Sequence, residues 1–422
     1  MTLFLSIAIL AGLAAVFGFI NERFLRLQTT IGLMLLALVM SVALALLKQF
    51  AGLDFFGWEQ DLVSGLDLGD TLLNGVLCFM LFAGSAGVRI KHLREYRWTI
   101  ASFAIISTGI ASVLIALVLG SALPLFGVEI GLAYAFVFGA LISPTDPIAS
   151  LAILKAVDLP KPLETIINGE SLFNDGVGVV LFTIGLAVAQ GEAQPTASQA
   201  LTLFLREVLG GIGLGLLLSL VMHFALIRTR NYGNQLLITL STVALGYGVA
   251  ERVEVSGPIA VVVAGLVVGS ITIPKLPEEE TKLLGAFWSG VDQVLNSMLF
   301  VMIGLSLVVV HSVSWSVIVF TTPLAILVCL IARAVSVYVP IAGLGAAGIL
   351  DSDRWGLTRL LTWAGLRGGL ALALALSLPD SDAKPTILSM TSGVVAFSIL
   401  VQGSTIGRLF NPAFLRRLLK SS

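Results

Sequence analysis

Ser143-Pro144-Thr145-Asp146-Pro147 sets a carboxylate between two prolines inside an apolar run that extends from Ala133 to Leu154. A second run, Ile166 to Ala189, holds Asn168-Gly169-Glu170-Ser171-Leu172-Phe173-Asn174-Asp175-Gly176. Runs of this length read as membrane helices, which need about 20 mainly apolar residues. An ionised group inside one costs about 2.5–3.5 kcal/mol even on the lenient insertion scale. Where such groups occur they usually face a water-filled cavity and bind or relay ions. Asp146 and Asp175 therefore mark a cation or proton site.

The rest of the chain agrees with a membrane setting. Of its 422 residues 57% are hydrophobic and 12% charged, against about 25% charged in ordinary soluble domains. A net charge of −1 points to no particular partner. Cys78 and Cys329 both lie in apolar runs, so neither a disulfide framework nor a thiolate metal site is expected. His92, His223 and His311 are scattered and suggest no metal cluster. No phosphate-binding glycine loop, nucleophile triad or basic nucleic-acid face is present, and no cofactor is implied. The first apolar run, Leu3 to Ile20, lacks a basic leader and a small-residue cleavage site, so it reads as a retained helix.

Apolar stretches of spanning length lie near 2–20, 29–47, 71–88, 98–120, 131–154, 163–189, 198–227, 234–250, 256–272, 285–309, 313–339, 358–378 and 386–407, thirteen in all. Loops after the odd-numbered stretches, together with the C-terminal tail, carry 18 of the 24 Lys and Arg residues. Loops after the even-numbered ones carry Lys48, Arg252 and Lys384. By the positive-inside rule the N-terminus is outside and the tail cytoplasmic. Residues 1–410 then form one transmembrane domain, and 411–422 a short cytoplasmic tail.

Thirteen helices accommodate two six-helix repeats of opposite orientation, helices 1–6 and 8–13, linked by helix 7. Secondary transporters are often built so, with broken helices at matching positions. Position five of the first half holds Pro144 and Pro147; position five of the second holds Gly365-Leu366-Arg367-Gly368-Gly369.

On helix 6, Ser171 and Asp175 share one face, with Glu170 and Asn174 on the adjacent one. In helix 5 each proline lacks an N–H and obstructs the preceding turn, which frees carbonyls around Ser143 to Asp146. Unwound carbonyls beside a carboxylate suit a small alkali cation, and such backbone is tolerated only where it lines a cavity. Arg367 is placed to neutralise a negative helix C-terminus at the break of helix 12. Arg333, deep in helix 11, needs an anionic partner, and Glu170 is the expected one, as a structural ion pair. Asp292 of helix 10 is expected near the cytoplasmic end in solvent, and Glu278-Glu279-Glu280 as a solvated loop. Two carboxylates at one site couple two fluxes, because an arriving cation expels protons and arriving protons expel the cation.

Thr145-Asp146-Pro147, Gly169 through Gly176, Ser256-Gly257-Pro258 through Gly269, and Gly365-Leu366-Arg367-Gly368 together resemble the electroneutral sodium/proton antiporters of the monovalent cation:proton antiporter superfamily. The resemblance spans roughly 5–410. It implies an all-α polytopic fold in which broken helices 5 and 12 cross, and a secondary active transporter rather than an enzyme. It further implies that Asp146 and Asp175 bind sodium or lithium, or protons, with Ser171 adding a side-chain oxygen and Thr145 its backbone carbonyl. Asn174 would hold the unwound helix 5 and Glu170 would pair with Arg333. Asparagine at 174, where the electrogenic branch has aspartate, implies one-for-one exchange. A homodimer in the plasma (inner) membrane is implied, with helices 1–3 and 8–10 at the interface and 4–6 and 11–13 as the moving core. Many relatives carry an acid in helix 3, whereas this chain has none between Thr71 and Val88. A potassium/proton antiporter of the same fold is the alternative; a channel would pass current, and a hydrolytic aspartate dyad would not require Glu170, Asn174 or the repeat.

Overall fold

The computed structural model describes residues 3–51, 76–146, 150–151, 154, 159–191, 196–309 and 315–418. Pro147, His311 and the 71–75 portion of the expected third helix lie outside the described residues. Helices account for nearly all of the rest. We number them α1 Leu3–Ile20, α2 Thr29–Ala51, α3 Leu77–Ala86, α4 Arg97–Phe126 and α5 Gly131–Ile142. Next come α6 Lys161–Ala189, α7 Ala197–Arg228, α8 Tyr232–Arg252 and α9 Gly257–Val267. The chain continues with α10 Glu278–Val309, α11 Trp315–Ala346, α12a Arg354–Ala364, α12b Gly369–Leu376 and α13 Lys384–Phe397. Among the described residues eight helices are long and apolar enough to cross a membrane, or nine if α12a and α12b form one bent span. Shorter apolar helices at 29–44, 77–86 and 131–142 add to these, and the pattern is compatible with thirteen passes.

The helix ends follow local chemistry. Thr196 and Gln199 close a capping box at the start of α7. Ser256 and Asp353 accept from backbone N–H groups to open α9 and α12a. Two boundaries differ from expectation. The acidic run Glu278–Glu280 is the first turn of α10, not a loop; carboxylates there meet the positive end of the helix dipole. Its side chains are also engaged, Glu278 with Lys282 at 2.7 Å and Glu280 with Gln235 at 2.6 Å. The tail is likewise not free chain. Pro412–Leu418 is helical, and the carbonyl of Leu418 accepts from the N–H of Asp353 at 2.9 Å.

Packing divides the helices into two sets. In one, α2 runs along α10 while α3 and α7 lie against α9; in the other, α5 packs between α4 and α6, and α11 lies against α4, α12a and α13. The sets meet where α10 touches α12b and α13, and where α6 touches α3 and α9. A cavity of about 490 Å³ lies in this seam.

Candidate functional site

Both interrupted helices break where their sequences contain breakers. Helix α5 ends at Ile142, the chain is non-helical at Thr145 and Asp146, and helical backbone is found again at Ser150. Helices α12a and α12b are bent by 54° across Gly365–Gly368. The two breaks are joined to each other: the Asp146 N–H donates to the carbonyl of Leu366 at 2.7 Å. A Cβ on Gly368 would strike the Asp146 carboxyl group. Glycine there lets the two chains cross closely.

The free helix ends at the crossing are met by arginines. Arg367 Nη1 donates to the carbonyls of Ser143 and Pro144, the latter at 2.9 Å, so the helix end it meets is that of α5 and not, as expected, one at the break of helix 12. Arg333 Nε donates to the carbonyl of Leu361 at 3.3 Å, at the C-terminal end of α12a. These carbonyls carry the negative end of each half-helix, so a buried cation at each is favourable. A second role for Arg333 at a helix end was not foreseen from sequence, since nothing local to it marks the Leu361 carbonyl as a partner. Its Nη1 also lies 2.6 Å from Glu170 Oε1, with both side chains almost wholly buried. Gly365 gives Arg333 room to pass, since a Cβ there would lie 2.8 Å from Nε.

The four polar residues of α6 separate by task. Glu170 turns to Arg333, while Asn174 is fully buried against the break of α5. Asn174 Oδ1 accepts from the Thr145 N–H at 3.4 Å, and its Nδ2 donates to Thr145 Oγ1 at 3.0 Å. The amide thus replaces helix hydrogen bonding that the break removes. Thr145 Oγ1 lies 3.1 Å from Ser171 Oγ. The backbone N–H of Arg367 is in turn held by Ser398 Oγ at 2.9 Å, from a π-helical turn in the α13 span. Ser398 was missed from sequence, since one serine in an apolar helix carries no distinguishing pattern.

Asp146, Thr145, Ser171 and Asp175 all line the cavity in the seam, with Asn168, Gly368 and Gly369. The site therefore offers two carboxylates, a hydroxyl and unwound backbone to one cavity, a hard-oxygen set suited to an alkali cation. Glu170, Arg333, Asn174 and Arg367 stand behind it as support. Asp292 departs from expectation: it is half-buried and lines the same cavity together with Asn296. Helix α10 begins at Glu278, earlier than expected, so Asp292 lies fourteen residues from its start. Among the described residues no group of three His, Cys, Asp or Glu is arranged to hold a metal ion.

Residues 12–411 match the family model described as sodium/hydrogen exchanger, transmembrane. The chain is 38% identical to the Na(+)/H(+) antiporter NhaP of Pseudomonas aeruginosa, over 99% of this chain and 98% of that protein. It is 34% identical to the Na(+)/H(+) antiporter NhaH of Halobacillus aidingensis, over 87% and 90% of the two chains. The fold matches the solved structure of the sodium proton antiporter MjNhaP1 from Methanocaldococcus jannaschii, with a TM-score of 0.73 at 19% identity and full coverage of both chains.

Proposed function

The chain belongs to the sodium/hydrogen exchanger family, and we propose that the cavity shared by Asp146 and Asp175 is where it exchanges sodium for protons. It is a multi-pass membrane transporter, a sodium/proton antiporter, and not an enzyme. The observation that carries the site is the meeting of both carboxylates with Ser171 and the crossed breaks in one cavity.

Sodium enters with Asp146 and Asp175 as ligands, aided by the Ser171 hydroxyl and the Thr145 carbonyl. Lithium fits the same oxygens. Bringing two ionised carboxylates together in a low-dielectric seam is unfavourable without a counter-charge. Either a cation or protons supply it, so binding one discharges the other. Asn174, neutral and fully engaged with Thr145, adds no third charge, which supports one-for-one electroneutral exchange. Glu170 and Arg333 neutralise each other and take no part in the cycle.

The division of the packing into two sets supports a moving core of helices 4–6 and 11–13 against a scaffold of helices 1–3 and 8–10. The scaffold is the surface proposed for a homodimer. The skew of Lys and Arg supports an inner-membrane orientation with the N-terminus outside and the C-terminus cytoplasmic.

The test is loss of a preset pH gradient in proteoliposomes holding the full chain, on adding sodium, lithium or potassium. Sodium or lithium should dissipate the gradient, and Asp175→Asn should abolish the response. Exchange persisting in Asp175→Asn would refute the site, and a response to potassium alone would change the cargo.

A further inference from the structure

We infer that Asp292 is a cation-capturing residue, which holds the incoming ion in the cavity before it passes to Asp146 and Asp175; this rests on the exchange reading above. Asp292, Asn296 and Leu299 recur at helical spacing on one face of α10, and all three line the cavity. They form the α10 side of the cavity that Asp146 and Asp175 also line.

Asp292 is held in place there. Asn296 is 7% exposed, and its Nδ2 donates to Asp292 Oδ1 at 3.0 Å and to the Asp292 carbonyl at 2.9 Å. The amide engages Oδ1 alone. Among the described residues no Lys or Arg forms an ion pair with Asp292, in contrast to Glu170, which Arg333 neutralises. A carboxylate kept in an apolar span without a basic partner calls for a mobile cation or a proton as its counter-charge. The neighbouring wall supplies none of this charge, since α3 lines the cavity with Leu77, Met80, Leu81 and Gly84.

Position sets the role. Leu299 packs on Gly369, next to the Gly368 that abuts Asp146. From Leu299 back to Asp292 is seven residues, about 10 Å of helix at about 1.5 Å per residue. Asp292 is thereby set back along α10 from the crossing. The charge of Asp292 is nonetheless felt at the exchange site. At about 10 Å and an intermediate dielectric, a unit charge changes cation occupancy by about tenfold. Asp292 lies toward the N-terminal half of α10, and Asn168 marks the corresponding side of α6 in the lining. In the proposed orientation both lie on the cytoplasmic side of the crossing, so Asp292 meets cytoplasmic sodium first.

The experiment is a sodium titration of exchange in proteoliposomes with the full chain, comparing wild type, Asp292→Asn and Asp292→Glu. Asp292→Asn should raise the KM for sodium about tenfold, with the maximal rate falling by less than about twofold. Asp292→Glu, which keeps the charge, should recover most of that affinity. A wild-type KM in Asp292→Asn, or a collapsed maximal rate at unchanged KM, overturns the inference. Should Asp292→Asn not fold, Asn296→Ala serves instead: releasing Oδ1 should raise KM by about threefold, and an unchanged KM counts against the inference. A wild-type protein that dissipates the gradient with no cation sinks the exchange reading itself, whereas an active wild type with an unaffected Asp292→Asn sinks only the capture role.

Discussion

The backbone N–H of Asp146 donates to the carbonyl of Leu366 at 2.7 Å, so the break that follows α5 is hydrogen-bonded to the break between α12a and α12b, 220 residues later. Arg367, one residue on, returns across the same crossing to the carbonyls of Ser143 and Pro144. Each break thus satisfies polar groups the other leaves open, as irregular backbone at membrane depth requires. Asp146 is thus held by both breaks at once.

The tightest point of that crossing is Gly368. Its φ of −119° is one any residue adopts, so backbone strain is not what requires glycine there. A methyl group would instead meet the Asp146 side chain, with Cβ at 2.6 Å and Cγ at 2.8 Å. Gly368→Ala should therefore push Asp146 out of position and reduce sodium affinity by at least about tenfold, equivalent to about 1.4 kcal/mol. A sodium titration of exchange measures this; an unaltered KM would show that the carboxyl has room to move.

Asn174 is the second support of Asp146, through its two hydrogen bonds to Thr145. Asn174→Ala leaves the Thr145 N–H and hydroxyl without those partners in a buried place, at a cost of about 1–3 kcal/mol. The melting temperature should fall and exchange should slow, since Thr145 no longer holds its register beside Ser171. Asn174→Asp keeps an acceptor for the Thr145 N–H but loses the donor to its hydroxyl when ionised. It should retain more stability than Asn174→Ala, which thermal unfolding in detergent can check.

The Glu170–Arg333 pair supports a separate prediction. Removing one partner of a buried pair leaves the other charged and unpaired, typically at about 3–5 kcal/mol. Glu170→Gln and Arg333→Gln should each lower stability sharply, and the double variant should lose much less than their sum. Part of the Arg333 loss should remain in the double variant, because the contact with the Leu361 carbonyl is also gone. Strict additivity in thermal unfolding would mean the two side chains are energetically independent.

How far these relationships could be read from sequence depends on their range. Asp146, Asp175 and Arg333 stand out because charge in an apolar run has few explanations, and helical spacing alone puts Ser171 beside Asp175. The bend of α12 follows from Gly365, Gly368 and Gly369. The Asp146–Leu366 bond does not, because nothing local to either residue encodes a partner 220 positions away. Asp292 was misplaced for a different reason. Three consecutive glutamates look like a loop to a hydropathy pattern, yet at a helix N-terminus they are stabilised by its dipole. With α10 starting at Glu278, Asp292 lies fourteen residues into the helix, and its side chain lines the cavity.

The last prediction concerns pH and voltage. If sodium and protons contend for Asp146 and Asp175, lowering the pH on the sodium side leaves fewer sites with both carboxylates ionised. Apparent KM for sodium should then rise as pH falls, while the rate at saturating sodium changes little. Separate sites would instead lower the maximal rate at constant KM. The same vesicles test the charge balance: with one sodium against one proton, clamping the membrane potential with potassium and an ionophore should leave the rate unchanged. Acceleration by an inside-negative potential would mean that net charge moves, and that a proton carrier beyond this pair of carboxylates takes part. Asn174 cannot be that carrier, since a neutral amide bound on both sides to Thr145 has no proton to exchange.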